Sequence, residues 1–284
     1  MEYDDVLISA EELGSIIGAA GLRIVDCRFQ LLDPDAGRRD YLEGHIPGAV
    51  YADLDLDLSG PVQPDSGRHP LPGPDDFAAT LGRLGIDRDT AVVVYDADTG
   101  AVASRAWWML RWLGHDDVRL LDGGIAAWTD SGMPLETGDI RVAARHFLCS
   151  PRSGLVVGSD ELLAAAGTAD APPLVDAREA IRFRGESEPI DAVAGHVPGA
   201  VNLPYDASLG PDGRWLGPDE LAALWGRVLG AADHRPWSVM CGSGVTACHL
   251  VVSALLAGRT EPRLYAGSWS EWIRDPDRPV AIES

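Results

Sequence analysis

Gly44-His45-Ile46-Pro47-Gly48-Ala49-Val50 is written again, with one conservative change, as Gly195-His196-Val197-Pro198-Gly199-Ala200-Val201. Outward from this motif the match continues. Ile24-Val25-Asp26-Cys27-Arg28 precedes the first copy, and Leu174-Val175-Asp176-Ala177-Arg178 precedes the second. Val92-Val93-Val94-Tyr95-Asp96 has its counterpart in Trp237-Ser238-Val239-Met240-Cys241, and Leu121-Asp122-Gly123-Gly124 in Tyr265-Ala266-Gly267-Ser268. Two long copies of one unit indicate a duplicated domain rather than a solenoid of short repeats.

Short β-branched runs alternate with helical stretches inside each copy. In the first, strands are expected at Arg23–Asp26, Ala91–Tyr95 and Val118–Leu121, with helices at Pro74–Leu84 and Ser104–Leu113. Ser9 and Glu12 stand at capping-box spacing before another helix. Such alternation gives an α/β fold: two tandem domains, each an open, mainly parallel sheet flanked by helices. The expected division is residues 1–138, a linker over 139–155, and residues 156–284. Ligands of such sheets sit at the carboxyl ends of the strands.

The copies differ most where chemistry would occur. Asp96 and Cys241 each end a central strand, and Cys241 alone can act as a sulfur nucleophile. It opens Cys241-Gly242-Ser243-Gly244-Val245-Thr246, a glycine-rich passage into a helix expected near Val245–Ala257. Backbone N–H groups of such a loop can converge on one anionic atom, here a thiolate or the outer sulfur of a persulfide. Cys27, Cys149 and Cys248 read as ordinary packed cysteines; Asp96 reads as a residue that holds its own loop.

These paired motifs, the Asp96/Cys241 asymmetry and Gly267-Ser268-Trp269-Ser270-Glu271-Trp272 resemble the tandem-domain rhodaneses. The resemblance spans nearly the whole chain. It implies a non-catalytic amino-terminal domain, a catalytic carboxyl-terminal domain and a persulfide on Cys241. The loop Cys-Gly-Ser-Gly-Val-Thr resembles that of mercaptopyruvate sulfurtransferases, whereas thiosulfate sulfurtransferases have Cys-Arg-Lys-Gly-Val-Thr. The expected activity moves sulfur from a small anionic donor, with 3-mercaptopyruvate favoured over thiosulfate, to cyanide, a thiol or a thioredoxin-like protein. The resemblance maps a serine–histidine–aspartate relay onto Ser243, His45 and Asp35, and a donor-carboxylate site onto Arg182. Gly242, Gly244, Val245, Thr246 and Tyr95 are expected to line the site. A second arginine often follows a Glu-Pro pair in this family; here Glu188-Pro189 is followed by Ile190. Neither a metal nor an organic cofactor is implied. Arg178 and His196 read as supports of their own loops.

Composition narrows the remaining choices. The 284 residues carry a formal charge of −21 and include no lysine. That charge disfavours nucleic acid and anionic lipid as partners. No apolar run nears the ~18–20 residues that span a bilayer, and Met1-Glu2-Tyr3-Asp4-Asp5 lacks the pattern of a signal peptide, so a cytoplasmic location is expected. Four cysteines in this length do not form a disulfide framework. A Cys-x5-Arg phosphatase loop is disfavoured because Ala247 stands where the arginine would be. Two further readings are a non-enzymatic binding module and a persulfide relay to a protein partner.

Overall fold

The computed structural model describes residues 3–168, 171–230 and 235–282. The chain forms two units, and the division between them is not a single cut. Met1–Gly60 and Pro72–Arg152 form the first with Gly210–Trp215; Ser153–Leu209 and Leu216–Ser284 form the second with Pro61–Leu71. Each half of the sequence thus lends a short arm to the other unit.

The first unit holds β1 (Leu7–Ile8), β2 (Leu22–Asp26), β3 (Val50–Tyr51), β4 (Ala91–Tyr95) and β5 (Val118–Leu121), in the order β1-β5-β4-β2-β3. Every pairing is parallel. A parallel strand covered on both faces reads as an unbroken apolar run, as β4 does, and four of its five residues are buried. The register sets Asp26 beside Tyr95. The helix Ala10–Ile16 starts with the expected capping box. The helix Pro74–Arg83 starts with a proline, followed by Asp75 and Asp76, which suit the positive end of the helix dipole. The helix Ala103–Trp112 is buried along its whole length. Ile8, Leu13, Ile24, Val93, Tyr95 and Trp128 pack together in the core.

The second unit repeats the plan with β6 (Leu174–Asp176), β7 (Val201–Asn202), β8 (Ser238–Met240) and β9 (Arg263–Leu264). Its parallel order is β7-β6-β8-β9. Val156 bridges Leu264 in parallel, which is the place β1 takes beside β5. Leu174, Val197, Met240, Trp269 and Trp272 form part of its core. Asp96 and Cys241 therefore follow the equivalent strands β4 and β8. Among the described residues no helix is long and apolar enough to cross a membrane.

Candidate active site

Strand β8 ends at Met240, and the next residue, Cys241, begins the turn into the helix Thr246–Leu256. The Cys241 N–H donates to Ser268 Oγ at 3.0 Å, and its carbonyl accepts the Trp269 N–H at 2.9 Å. Ser268 adopts φ 53°, and its hydroxyl also donates to the Tyr265 carbonyl at 2.8 Å. A non-glycine residue in the left-handed region costs about 1 kcal/mol or more; these bonds hold it there. The cysteine is thus pinned through its own backbone, leaving the thiol group to the loop.

Among the described residues the Cys241 sulfur accepts one loop amide, that of Gly244, at 3.1 Å. The sequence points to a fuller ring from Gly242 to Thr246. The loop turns at Gly244, and two of its carbonyls are bonded to amides beyond it. The Gly242 carbonyl accepts the Ser270 N–H, and the Val245 carbonyl accepts the Cys248 N–H. Gly244 has φ +77°, and a Cβ there would lie 2.2 Å from the Ala266 carbonyl oxygen. Only glycine fits. Gly242, Ser243 and Val245 are buried beside it, and Thr246 is half-buried.

Charge surrounds this loop. Arg182 donates through Nε to both oxygens of Glu188 and through Nη2 to Asp191 Oδ2 at 3.1 Å. Asp191 Oδ1 also accepts Nη1 of Arg68, from the arm Pro61–Leu71. Burial pushes the Asp191 carboxyl above its ordinary value, although both arginines pull the other way. Burial also acts to raise Glu188, but Arg182 and the amides of Asp191 and Ile190 outweigh it, and the net shift is downward. Arg178 is occupied structurally, as expected: it grips Asp176, donates to the Gly195 carbonyl and lies over Trp269.

Ser243 has a histidine partner, and it is His69. His69 Nδ1 lies 2.7 Å from Ser243 Oγ. The arm that carries it is held by the Arg68 N–H on Ser270 Oγ at 3.1 Å. Gly67 approaches the same turn so closely that a Cβ would sit 2.4 Å from the Gly267 oxygen.

His45, which the motif proposes for this relay, has another task. Its Nδ1 is 2.7 Å from the Tyr41 carbonyl, and its ring stacks on Tyr41 at 4.2 Å. His196 repeats this arrangement on Phe183, at 2.8 Å and 3.8 Å. Both histidines also sit at isolated antiparallel bridges, to Glu136 and Ala281. Equal geometry in both copies identifies a loop support, so the histidine of the motif is not the partner of Ser243. Asp35 is an exposed residue at the start of the helix Ala36–Glu43. Its carboxylate hydrogen-bonds neither histidine among the described residues, so the structure does not join it to a relay. Tyr95 is corrected too. It is wholly buried, donates to Asp26 Oδ2 at 2.7 Å and accepts the Ile46 N–H at 3.2 Å, with no face left for a ligand.

The equivalent loop in the first unit is filled by its own side chain. The Asp96 carboxylate accepts the N–H groups of Gly100, Val102 and Ala103 at 2.9, 2.8 and 3.1 Å. Burial nonetheless pushes its carboxyl above the ordinary value. Cys27 lies buried at the end of β2, and burial raises its thiol well above the ordinary value. Cys248 is buried in its helix and donates to the Gly244 carbonyl.

The rhodanese-like domain family matches residues 9–131 and 159–275. Over 277 residues the chain is 48% identical to a Pseudomonas aeruginosa protein named "Probable 3-mercaptopyruvate sulfurtransferase", covering 97% of each chain. It is 44% identical to a Mycobacterium tuberculosis protein named "Putative thiosulfate sulfurtransferase SseB", over 97% of this chain and 96% of that one. The human 3-mercaptopyruvate sulfurtransferase is 37% identical over 94% of this chain and 91% of its own. Among solved structures, Escherichia coli SseA, whose report concerns 3-mercaptopyruvate sulfotransferases, matches with TM-score 0.82 and 34% identity, over 93% of this chain and 98% of its own. Paired motifs, equivalent sheets and two full family matches agree: the chain belongs to the rhodanese-like family, as two tandem copies of its domain.

Proposed function

We propose that this chain is a sulfurtransferase that carries sulfur on Cys241, with 3-mercaptopyruvate as its preferred donor. The observation that carries the reading is the Ser243–His69 pair, 2.7 Å apart, with Ser243 two residues after the nucleophile in the chain. The relatives named for mercaptopyruvate support the same donor.

In the first half-reaction the Cys241 thiolate attacks the donor sulfur. A Cys–S bond forms, the donor's C–S bond breaks, and its electron pair leaves on carbon as the enolate of pyruvate. The Ser243 hydroxyl delivers a proton to that carbon and is resupplied through His69. The persulfide loses its own proton, and the Gly244 N–H, already on the cysteine sulfur, stabilises negative charge in the loop. Arg182 orients the donor carboxylate, since a guanidinium can grip it with two parallel bonds. In the second half-reaction a thiolate or cyanide attacks the outer sulfur. The S–S bond breaks and the Cys241 thiolate returns.

A second reading makes thiosulfate the donor, favoured by the name of the Mycobacterium tuberculosis relative. Thiosulfate leaves as sulfite and needs no carbon protonated. Comparing kcat/KM for the two donors with one acceptor decides between them. A higher value for 3-mercaptopyruvate is expected. A higher value for thiosulfate would replace the donor and keep the Cys241 chemistry.

A further inference from the structure

Gly244 is bonded to two cysteines at once. Its N–H donates to Cys241 Sγ at 3.1 Å, and its carbonyl accepts the thiol of Cys248 at 3.3 Å. Cys248 also donates its backbone N–H to the Val245 carbonyl at 3.0 Å. One residue in the first turn of the helix Thr246–Leu256 therefore holds two consecutive carbonyls of the reactive loop. Cys248 is wholly buried, and the sequence reads it as ordinary packing. A buried carbonyl needs a donor, and here a side chain supplies one.

The first unit shows the equivalent loop closed in another way. Val102 and Val245 stand just before the equivalent helices, so Cys248 corresponds to Arg105. The Arg105 N–H likewise reaches the Val102 carbonyl, at 2.9 Å. There the loop glycine is Gly100, with φ +74° against +77° at Gly244. Its carbonyl accepts the backbone N–H of Ser104 at 2.9 Å. Arg105 sends Nη2 to the Leu58 carbonyl at 3.4 Å. The copy that carries Asp96 thus meets its loop glycine with a backbone amide, and the copy that carries Cys241 meets it with a thiol.

We propose that Cys248 is a positioning residue for sulfur transfer: its thiol fixes the Gly244 carbonyl, and so keeps the Gly244 N–H on the sulfur of Cys241. This rests on the reading of Cys241 as the sulfur carrier and adds a residue that acts on it through the loop. Glycine has the widest conformational freedom of any residue, so a glycine that must aim its N–H at one atom needs a hold on its other side. The bond from Cys248 is that hold, and it comes from a helix buried around it. A thiolate is favoured by donors directed at it. Removing the Cys248 thiol takes a bond from a buried carbonyl, and the turn relaxes to replace it at the expense of the contact with Cys241. The difference between the copies agrees with this, because the first unit holds no sulfur at this place and has no thiol beside its loop glycine.

The test uses the purified full chain and compares Cys248→Ala with Cys248→Ser. The two side chains have nearly the same volume, and serine alone can donate to the Gly244 carbonyl. The probe is uncharged iodoacetamide at neutral pH, read as the rate of modification at Cys241 and located by fragment masses. Cys248→Ala is expected to slow alkylation about fivefold, the scale of one lost hydrogen bond. Cys248→Ser should stay within about twofold of wild type. Cys248→Val, a second side chain without a donor, should slow the reaction as alanine does, and it serves in place of alanine if that variant does not fold. In turnover, kcat for 3-mercaptopyruvate should follow the same order, with KM within about twofold. A packing role gives serine no advantage over alanine, so equal rates for the two variants would overturn the proposal. An alanine variant that reacts as fast as wild type would overturn it as well. If the wild type takes no sulfur from 3-mercaptopyruvate while serine still restores the alkylation rate that alanine loses, the role of Cys248 stands and the donor assignment falls.

Discussion

His69 Nδ1 and Ser243 Oγ lie 2.7 Å apart although 174 positions separate them in the chain. The relationship exists because Pro61–Leu71 packs with the second unit. It separates His69, beside the reactive loop, from His45 and His196, which support turns. His69→Ala is expected to lower kcat for 3-mercaptopyruvate by about 10²–10³ with a small change in KM, the range of a lost general acid–base group. Thiosulfate turnover should fall far less. Steady-state kinetics with both donors checks this; equal losses would remove the proton relay.

His45→Ala should behave in the opposite way. It removes a buried ring stacked on Tyr41 and a bond to the Tyr41 carbonyl, at a cost of about 1–3 kcal/mol of stability. The folded variant should keep near wild-type kcat. A denaturant titration beside a kinetic assay separates the two effects, and a kinetic defect without loss of stability would return His45 to the relay.

Gly244→Ala is expected to abolish persulfide formation. The new Cβ would lie 2.2 Å from a carbonyl oxygen at a φ of +77°, so the turn must open and the amide on the sulfur must move. The strain alone costs about 1–3 kcal/mol. Reaction with donor, followed by mass analysis of the Cys241 peptide, should show no added sulfur.

Glu188 gives a prediction in pH. Burial acts to raise its carboxyl, but its bonds to Arg182 and two backbone amides win, and the folded group lies below its ordinary 4.5. A lowered folded value means that the ionised group adds stability above about pH 4.5, and that this is lost as pH falls through the folded value. The stability difference between wild type and Glu188→Gln should therefore shrink as the solution is acidified below that point. Denaturant midpoints measured from neutral pH downward test it; a difference that grows on acidification would reverse the assignment.

Much of the fold is legible in the sequence because both copies bury strands on two faces. Such strands are short apolar runs with clear ends, and β4 and β5 fall at the very residues expected, Ala91–Tyr95 and Val118–Leu121. Cys241 is legible because its glycine-rich loop follows such a strand. The roles of Arg178 and Asp96 follow from their neighbours in sequence. His69 and Arg68 are not legible in the same way. Their partners, Ser243 and Asp191, lie far away in the chain, and although Gly67-Arg68 before Gly73-Pro74-Asp75 is echoed by Gly213-Arg214 before Gly217-Pro218-Asp219, the second copy has Trp215 where the first has His69. The repeated Gly-His-x-Pro-Gly drew the relay to His45, although a residue shared by both copies is better explained by what both copies need. An Arg-His pair set between glycine and proline, outside any periodic segment, was the signal available.

The central claim is a sulfur atom held covalently on Cys241 between two half-reactions. Its most direct measurement is the mass of the Cys241 peptide after the purified chain meets 3-mercaptopyruvate without an acceptor. The account requires the added mass of one sulfur atom, removed again by cyanide and missing in Cys241→Ser. Turnover of the donor with that peptide unmodified, or undiminished sulfur transfer by Cys241→Ser, would contradict it.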